Sequence, residues 1–309
     1  MALKPEFLDA RTTERRNPRT TDIDQASSLE IVDLLNAEDR RVPEAVHAER
    51  EHLARAIDLA TRAIEAGGRL IYVGAGTSGR LGVLDAAECP PTFGTPPEMV
   101  VGVIAGGRAA LTGSQEGAED DTAAAEHAMA ENGVDVKDFV LGIAASGTTP
   151  FVSAALKRAR ALGAVTGLVT CATPPEDLEL DVVIAVRTGP EALTGSTRLK
   201  AGTATKLVLN CISTGTMIRR GKAYGNLMVD LKAWSDKLVD RSERIVMEAT
   251  GGAAGREEAR RAIKAAGGSV KLAIVMVSRS VSAAEGERLL TDAGGVVRAV
   301  VGDPPSVIE

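Results

Sequence analysis

The sequence predicts an α/β fold, a three-layer parallel sheet with a small helical C-terminal subdomain. Short apolar runs of strand length recur at 70–73, 99–104, 139–143, 165–170 and 182–186. Helical or glycine-rich segments separate them, the alternation of a parallel sheet sandwiched between helices. After about residue 224 the strand-like runs give way to a helical pattern.

Residues 1–42 are polar and charged, an arm with one amphipathic stretch from Ser28 to Leu35, where Leu29, Val32 and Leu35 share a face. Pro43 opens a long helix to Ala66, with Leu53, Ile57, Ala60 and Ile64 at helical spacing and Gly67-Gly68 as its stop. The first strand, Leu70-Ile71-Tyr72-Val73, breaks into Gly74-Ala75-Gly76-Thr77-Ser78-Gly79. A helix follows with Leu81, Leu84 and Glu88 on one face, and Pro90-Pro91 are expected to end it. The second strand ends in Ala105-Gly106-Gly107. The third, Phe139 to Ile143, runs into Ala144-Ala145-Ser146-Gly147-Thr148-Thr149-Pro150, a second hydroxyl-rich loop before a helix. A helix near 203–220 closes the sheet. Leu227 to Met247 reads as one helix ended by Gly251-Gly252, and Leu272–Val277 is ambiguous between strand and buried helix. The expected division is an arm and helix over 1–45, a sheet domain over 46–224 and a helical subdomain over 225–309.

Composition narrows the function. The chain has 309 residues, 44% hydrophobic and 25% charged, an ordinary globular balance. Its net charge of −6 and its 2% aromatic content argue against a nucleic-acid partner. Cys89, Cys171 and Cys211 stand far apart and read as reduced thiols. His47, His52 and His127 are too scattered for a metal site or a Ser-His-Asp triad. No apolar run approaches a membrane span and the N-terminus has no apolar signal core, so a cytoplasmic protein is expected.

Strand, glycine turn, helix is the layout in which backbone N–H groups at a helix start bind a phosphate. Gly74-x-Gly76-x-x-Gly79 also matches the dinucleotide fingerprint, which requires an acidic residue at the tip of the second strand. None stands there, and the free motif positions are the hydroxyls Thr77 and Ser78. A monophosphate on a compact ligand fits better. Thr77, Ser78, Ser146, Thr148 and Thr149 are the candidate phosphate ligands, with helix capping the plainer use of the same hydroxyls.

The strand–GAGTSGR–helix unit, the ASGTTP loop and the segment Gly189 to Thr203 (GPEALTGSTRLKAGT) resemble the sugar isomerase (SIS) domain. More narrowly, Thr13–Pro18 (TERRNP), Leu84–Thr92 (LDAAECPPT), Glu116–Asp120 (EGAED) and Gly225–Asp230 (GNLMVD) resemble the N-acetylmuramic acid 6-phosphate etherase family. Thr148 departs from the arginine expected in ASGRTP. The resemblance implies cleavage of the ether between C3 of the amino sugar and its lactyl group, in cell-wall sugar recycling, giving N-acetylglucosamine 6-phosphate and D-lactate. Once the sugar opens to its aldehyde, the C2 proton is acidic and the lactyl oxygen lies β to the carbonyl. A base then removes that proton, an acid protonates the leaving oxygen, and water adds to the unsaturated aldehyde. Neither a metal nor an organic cofactor is needed.

The family's catalytic glutamates fall on Glu88 as general acid and Glu119 as general base. Sequence physics suits this division. Glu88 is expected at a helix C-terminus, partly buried with Leu81 and Leu84, and Glu119 is expected to open a helix over 119–130. The plainer readings are a surface residue and an ordinary acidic first turn. The resemblance further implies substrate contacts from Gly76, Gly147 and Ser196 and from Lys200 or Arg198, either of which could equally hold an interface, and a homodimer with sites near the interface. A phosphosugar aldose–ketose isomerase and a non-catalytic sugar-phosphate sensor are the alternatives.

Overall fold

The computed structural model describes residues 12–231 and 236–306. It divides into two compact units, Met1–Ala87 with Glu98–Ser213, and Glu88–Pro97 with Thr214–Glu309. The second begins inside a continuous helix.

The first unit is built on a five-stranded parallel sheet: β1 (Leu70–Gly74), β2 (Val100–Ile104), β3 (Phe139–Ile143), β4 (Val165–Thr170) and β5 (Val182–Ala185). The strand order is β2-β1-β3-β4-β5. All five lie at their expected places because each is an apolar run, and β1 and β3 are buried at every position. Alternation splits the layers. Ile71, Val73, Val140 and Leu168 pack with α5 (Thr122–Glu131) and α6 (Pro150–Ala161). Tyr72 faces α4 (Gly76–Phe93), where its hydroxyl donates to the buried Asp85 carboxylate at 2.9 Å. Ser213, on α7 (Lys200–Arg219), donates to the same carboxylate at 3.1 Å.

Away from the cavity, three helix boundaries differ from expectation. The helix expected over 43–66 is two, α2 (Val42–Ala48) and α3 (Arg50–Glu65), broken where Glu49 leaves helical geometry at φ −93°, ψ 14°. Helix α4 does not stop at Pro90-Pro91 but reaches Phe93. Proline forfeits its own N–H yet still accepts, and Gly94 N–H bonds the Pro90 carbonyl at 3.0 Å. The stretch Leu227–Met247 is not one helix. Residues 227–228 pair as β7 (Leu227–Met228) with β6 (Ala223–Tyr224) around Gly225, whose φ of +58° suits a tight reversal. Residues 232–235 of that stretch lie outside the described residues, and α8 (Asp236–Ala249) follows.

The second unit is helical beyond the hairpin: α8, α9 (Arg256–Ala265), α10 (Val270–Arg279), α11 (Ala283–Asp292) and α12 (Val297–Val301). The ambiguous run at 272–277 lies in α10, which supplies Leu272, Ala273, Ile274 and Val275 to this unit's core. At the N-terminus, α1 (Ser28–Asp39) starts with a capping box between Ser27 and Glu30 and exposes Leu29 and Val32.

Candidate active site

The strand order places the topological switch between β1 and β3, beyond whose carboxyl ends ligands bind in such sheets. The two glycine- and hydroxyl-rich loops end at that edge. The fingerprint glycines serve the backbone here. A Cβ on Gly74 would lie 2.7 Å from the Gly79 nitrogen, and one on Gly79 would lie 2.6 Å from Ile104. Strand and helix start therefore touch. Gly76, at φ +51°, makes the turn that sends the chain into α4.

Between the loops lies a cavity of about 340 Å³, lined entirely by the first unit. Gly76, Thr77 and Ser78 from the first loop, Ser146 and Thr149 from the second, and Glu119 all line it. An adjoining recess of about 350 Å³ shares Ala75, Gly76 and Glu119 and is floored by Arg80, whose guanidinium donates to the Leu111 and Gly113 carbonyls. Sequence reasoning missed Glu14, Gly195, Thr197, Gly202 and Thr205 in the main cavity. Thr197 and Glu14 fell inside blocks that carried the family resemblance, which was the available signal.

The cavity suits an anion without a cationic side chain. Among the described residues its lining holds neither lysine nor arginine. The free N–H groups of α4's first turn belong to Gly76, Thr77 and Ser78, which line the cavity, so the positive end of the helix dipole faces it. Thr149 precedes Pro150 at the start of α6, and its hydroxyl makes no capping hydrogen bond, so it is not spent on the helix. Helix α7 contributes Ala201, Gly202 and Thr205 to the wall but not its dipole. The Glu191 carboxylate takes the N–H groups of Lys200 and Ala201 at 3.0 and 2.9 Å. Burial pushes that carboxyl up while the two N–H groups oppose it.

Gly147 and Thr148 belong to the second loop, and Ser196 to the segment 189–203, without lining the cavity. Exposed Thr148 turns its hydroxyl to Ser146 Oγ at 3.3 Å, so where relatives are expected to carry a guanidinium this chain has a neutral contact.

Lys200 needs correction as a substrate contact. It is 1% exposed, and its ammonium pairs with Glu38, which also holds the Arg19 guanidinium and Asn17 Nδ2. Arg19 first, then Lys200 and Asn17, bring the Glu38 carboxyl down to about 2 against the cost of its burial. This network ties α7 to α1 and to the segment before it. Lys200→Met removes one of the two cationic partners of Glu38 and leaves the carboxylate to Arg19 and Asn17, so it is expected to cost roughly 1.5–3 kcal/mol in thermal or urea unfolding. Because folding depresses the Glu38 pKa, its stabilisation is complete above the ordinary carboxylate range and is lost as pH falls towards 2. The loss of stability between pH 5 and 2 should therefore shrink in Glu38→Gln.

The glutamates also sit differently from expectation. Glu119 does not open α5. It occupies a 3₁₀ turn, Ala118–Asp120, after Gly117 at φ +72°, while Asp121 caps α5 by accepting from Ala124 N–H at 2.8 Å. The cap belongs to Asp121, which leaves the exposed Glu119 to the cavity. Glu88 is exposed rather than partly buried, beside Leu84 at 43% exposure. It lies more than a turn before the helix end at Phe93, so the terminal carbonyls do not flank it. It falls in the second unit.

Other chemistry is sparse. Cys89 and Cys171 are buried, and burial pushes the Cys171 thiol up to about 12, far from a nucleophilic thiolate. Among the described residues no cluster of His, Cys, Asp and Glu is placed to hold a metal, and no helix is long and apolar enough to cross a membrane.

Residues 52–160 match the model of the glucokinase regulatory protein N-terminal SIS domain. The chain is 52% identical over 295 residues to an N-acetylmuramic acid 6-phosphate etherase of Serratia proteamaculans, covering 95% of this chain and 99% of that one. It is 51% identical to one of Pectobacterium atrosepticum, covering 94% and 96%. A solved phosphoheptose isomerase from Francisella tularensis superposes with a TM-score of 0.45 and 15% identity, over 62% of this chain and all of that one.

Proposed function

The chain belongs to the N-acetylmuramic acid 6-phosphate etherase family, and from that premise we propose that it is a carbon–oxygen lyase cleaving the lactyl ether of N-acetylmuramic acid 6-phosphate. Elimination followed by hydration gives N-acetylglucosamine 6-phosphate and D-lactate. The observation that carries this reading is one cavity holding both an anion cradle and Glu119, a carboxylate spent neither on capping nor on the core.

The 6-phosphate rests against Thr77, Ser78, Ser146 and Thr149 and the start of α4. Such an anchor positions the far end of the sugar, where the chemistry takes place. Glu119, ionised, removes the C2 proton of the open-chain aldehyde. The electrons pass into the C1 carbonyl and return to expel the C3 oxygen. Glu88, protonated, gives its proton to that oxygen as lactate departs; the assignment rests on the LDAAECPPT block. Water then adds at C3 with the two groups in reversed roles. Gly147, Thr148 and Ser196 act by shaping the loops, and Lys200 is left out of the substrate contacts. A homodimer in the cytoplasm belongs to the same reading. Purified protein incubated with the substrate should release D-lactate in equimolar amount with N-acetylglucosamine 6-phosphate; folded protein that releases none would refute the reading.

A further inference from the structure

The etherase reading leaves one proton transfer without a residue. The substrate is a closed ring, and its C1 carbonyl is masked until the C1–O5 bond opens. Opening requires the C1 hydroxyl to lose a proton and O5 to gain one. Among the described residues, the carboxylates lining the cavity are Glu119 and Glu14. Glu119 is committed to the C2 proton. None of the three histidines lines this cavity.

Glu14 is held there by a built arrangement. Its carboxylate accepts from the Thr13 hydroxyl at 3.4 Å. Gly195, at φ +75°, leaves the space it occupies: a Cβ on Gly195 would lie 3.1 Å from Glu14 Oε2. The backbone on either side is stapled to the loop that carries Gly195. Gly195 N–H donates to the Thr13 carbonyl at 3.3 Å. Asn17 Nδ2 donates to the Pro190 carbonyl at 3.1 Å, and Thr20 Oγ1 to the Ala192 carbonyl at 2.8 Å. These bonds hold a carboxylate at the wall of the cavity on a fixed backbone, the condition for a positioned proton carrier.

The geometry points to Glu14 as the catalytic residue of ring opening, an inference that rests on the etherase reading. Its carboxylate takes the proton of the C1 hydroxyl as the C1–O5 bond breaks and its electron pair moves onto O5. The carboxylic acid so formed returns the proton to O5, directly or through one water. The net change is a proton moved from O1 to O5, with Glu14 regenerated and the aldehyde formed for Glu119 to act on.

The test compares two substrates in one variant. The ring-closed substrate needs opening. The unsaturated aldehyde whose C1 and C4 lie on opposite sides of the double bond cannot close and needs only hydration. Glu14→Gln should release lactate from the first about 100-fold more slowly and hydrate the second at the wild-type rate. Equal slowing of both, or slowing of neither, overturns the assignment. If Glu14→Gln melts early, Glu14→Asp, which keeps the carboxylate on a shorter stem, is put through the same comparison: selective slowing of the ring-closed substrate supports the assignment, and equal slowing or none overturns it. Wild-type protein inert toward both substrates would count against the etherase reading itself.

Discussion

Glu119→Gln should abolish two activities together, lactate release and exchange of the C2 proton of N-acetylglucosamine 6-phosphate with solvent. Both begin with the same event, removal of the proton from C2, and the amide cannot accept it. A loss on the order of 10²–10⁴-fold is expected for a positioned base. The side chain is exposed in its 3₁₀ turn and does not cap α5, so the isosteric change should leave stability within about 0.5 kcal/mol. Binding of the product, dominated by the phosphate cradle, should persist. Loss of the C2 proton resonance in deuterated buffer reads the exchange directly. Exchange at the wild-type rate would remove Glu119 from the role of base.

Glu88→Gln should separate the same two activities. The acid is needed only when the C3 oxygen departs, because an alkoxide leaves poorly at neutral pH. Lactate release should fall by a similar factor while C2 exchange of the product continues. The two variants together form a discriminating pair: one loses both readouts and the other loses one. A Glu88→Gln protein that still releases lactate at the wild-type rate would show that another group supplies the proton.

The sheet was legible in the sequence because each strand is a continuous apolar run, a signal that survives without knowledge of its neighbours. The strand order was not, since such runs carry no information about which of them pair. The hydroxyl lining of the cavity was legible for a related reason. Thr77, Ser78, Ser146 and Thr149 follow strand ends directly, so local chain order already places them at the ligand-binding edge. Glu14 was not, because it reaches the cavity through contacts of Thr13, Asn17 and Thr20 with a loop about 170 residues away. Lys200 failed in the opposite direction. Its motif suggested a substrate contact, but its partner Glu38 lies 162 residues earlier and its burial depends on tertiary packing. Glu119 kept its place in the cavity although the helix start moved to Thr122, since Asp121, two positions on, is the better cap.

The elimination itself has a signature that cleavage on the lactyl side of the ether does not share. If the C3–O bond breaks and water adds to the unsaturated aldehyde, the oxygen at C3 of the product comes from solvent and lactate keeps the ether oxygen. The measurement is a complete turnover of N-acetylmuramic acid 6-phosphate in ¹⁸O-water, with both products read by mass spectrometry. One ¹⁸O in the sugar at C3, beyond the label that the anomeric position exchanges, together with unlabelled lactate hydroxyl, is the predicted result. Label in the lactate hydroxyl and none at C3 would place the break on the lactyl side and contradict elimination.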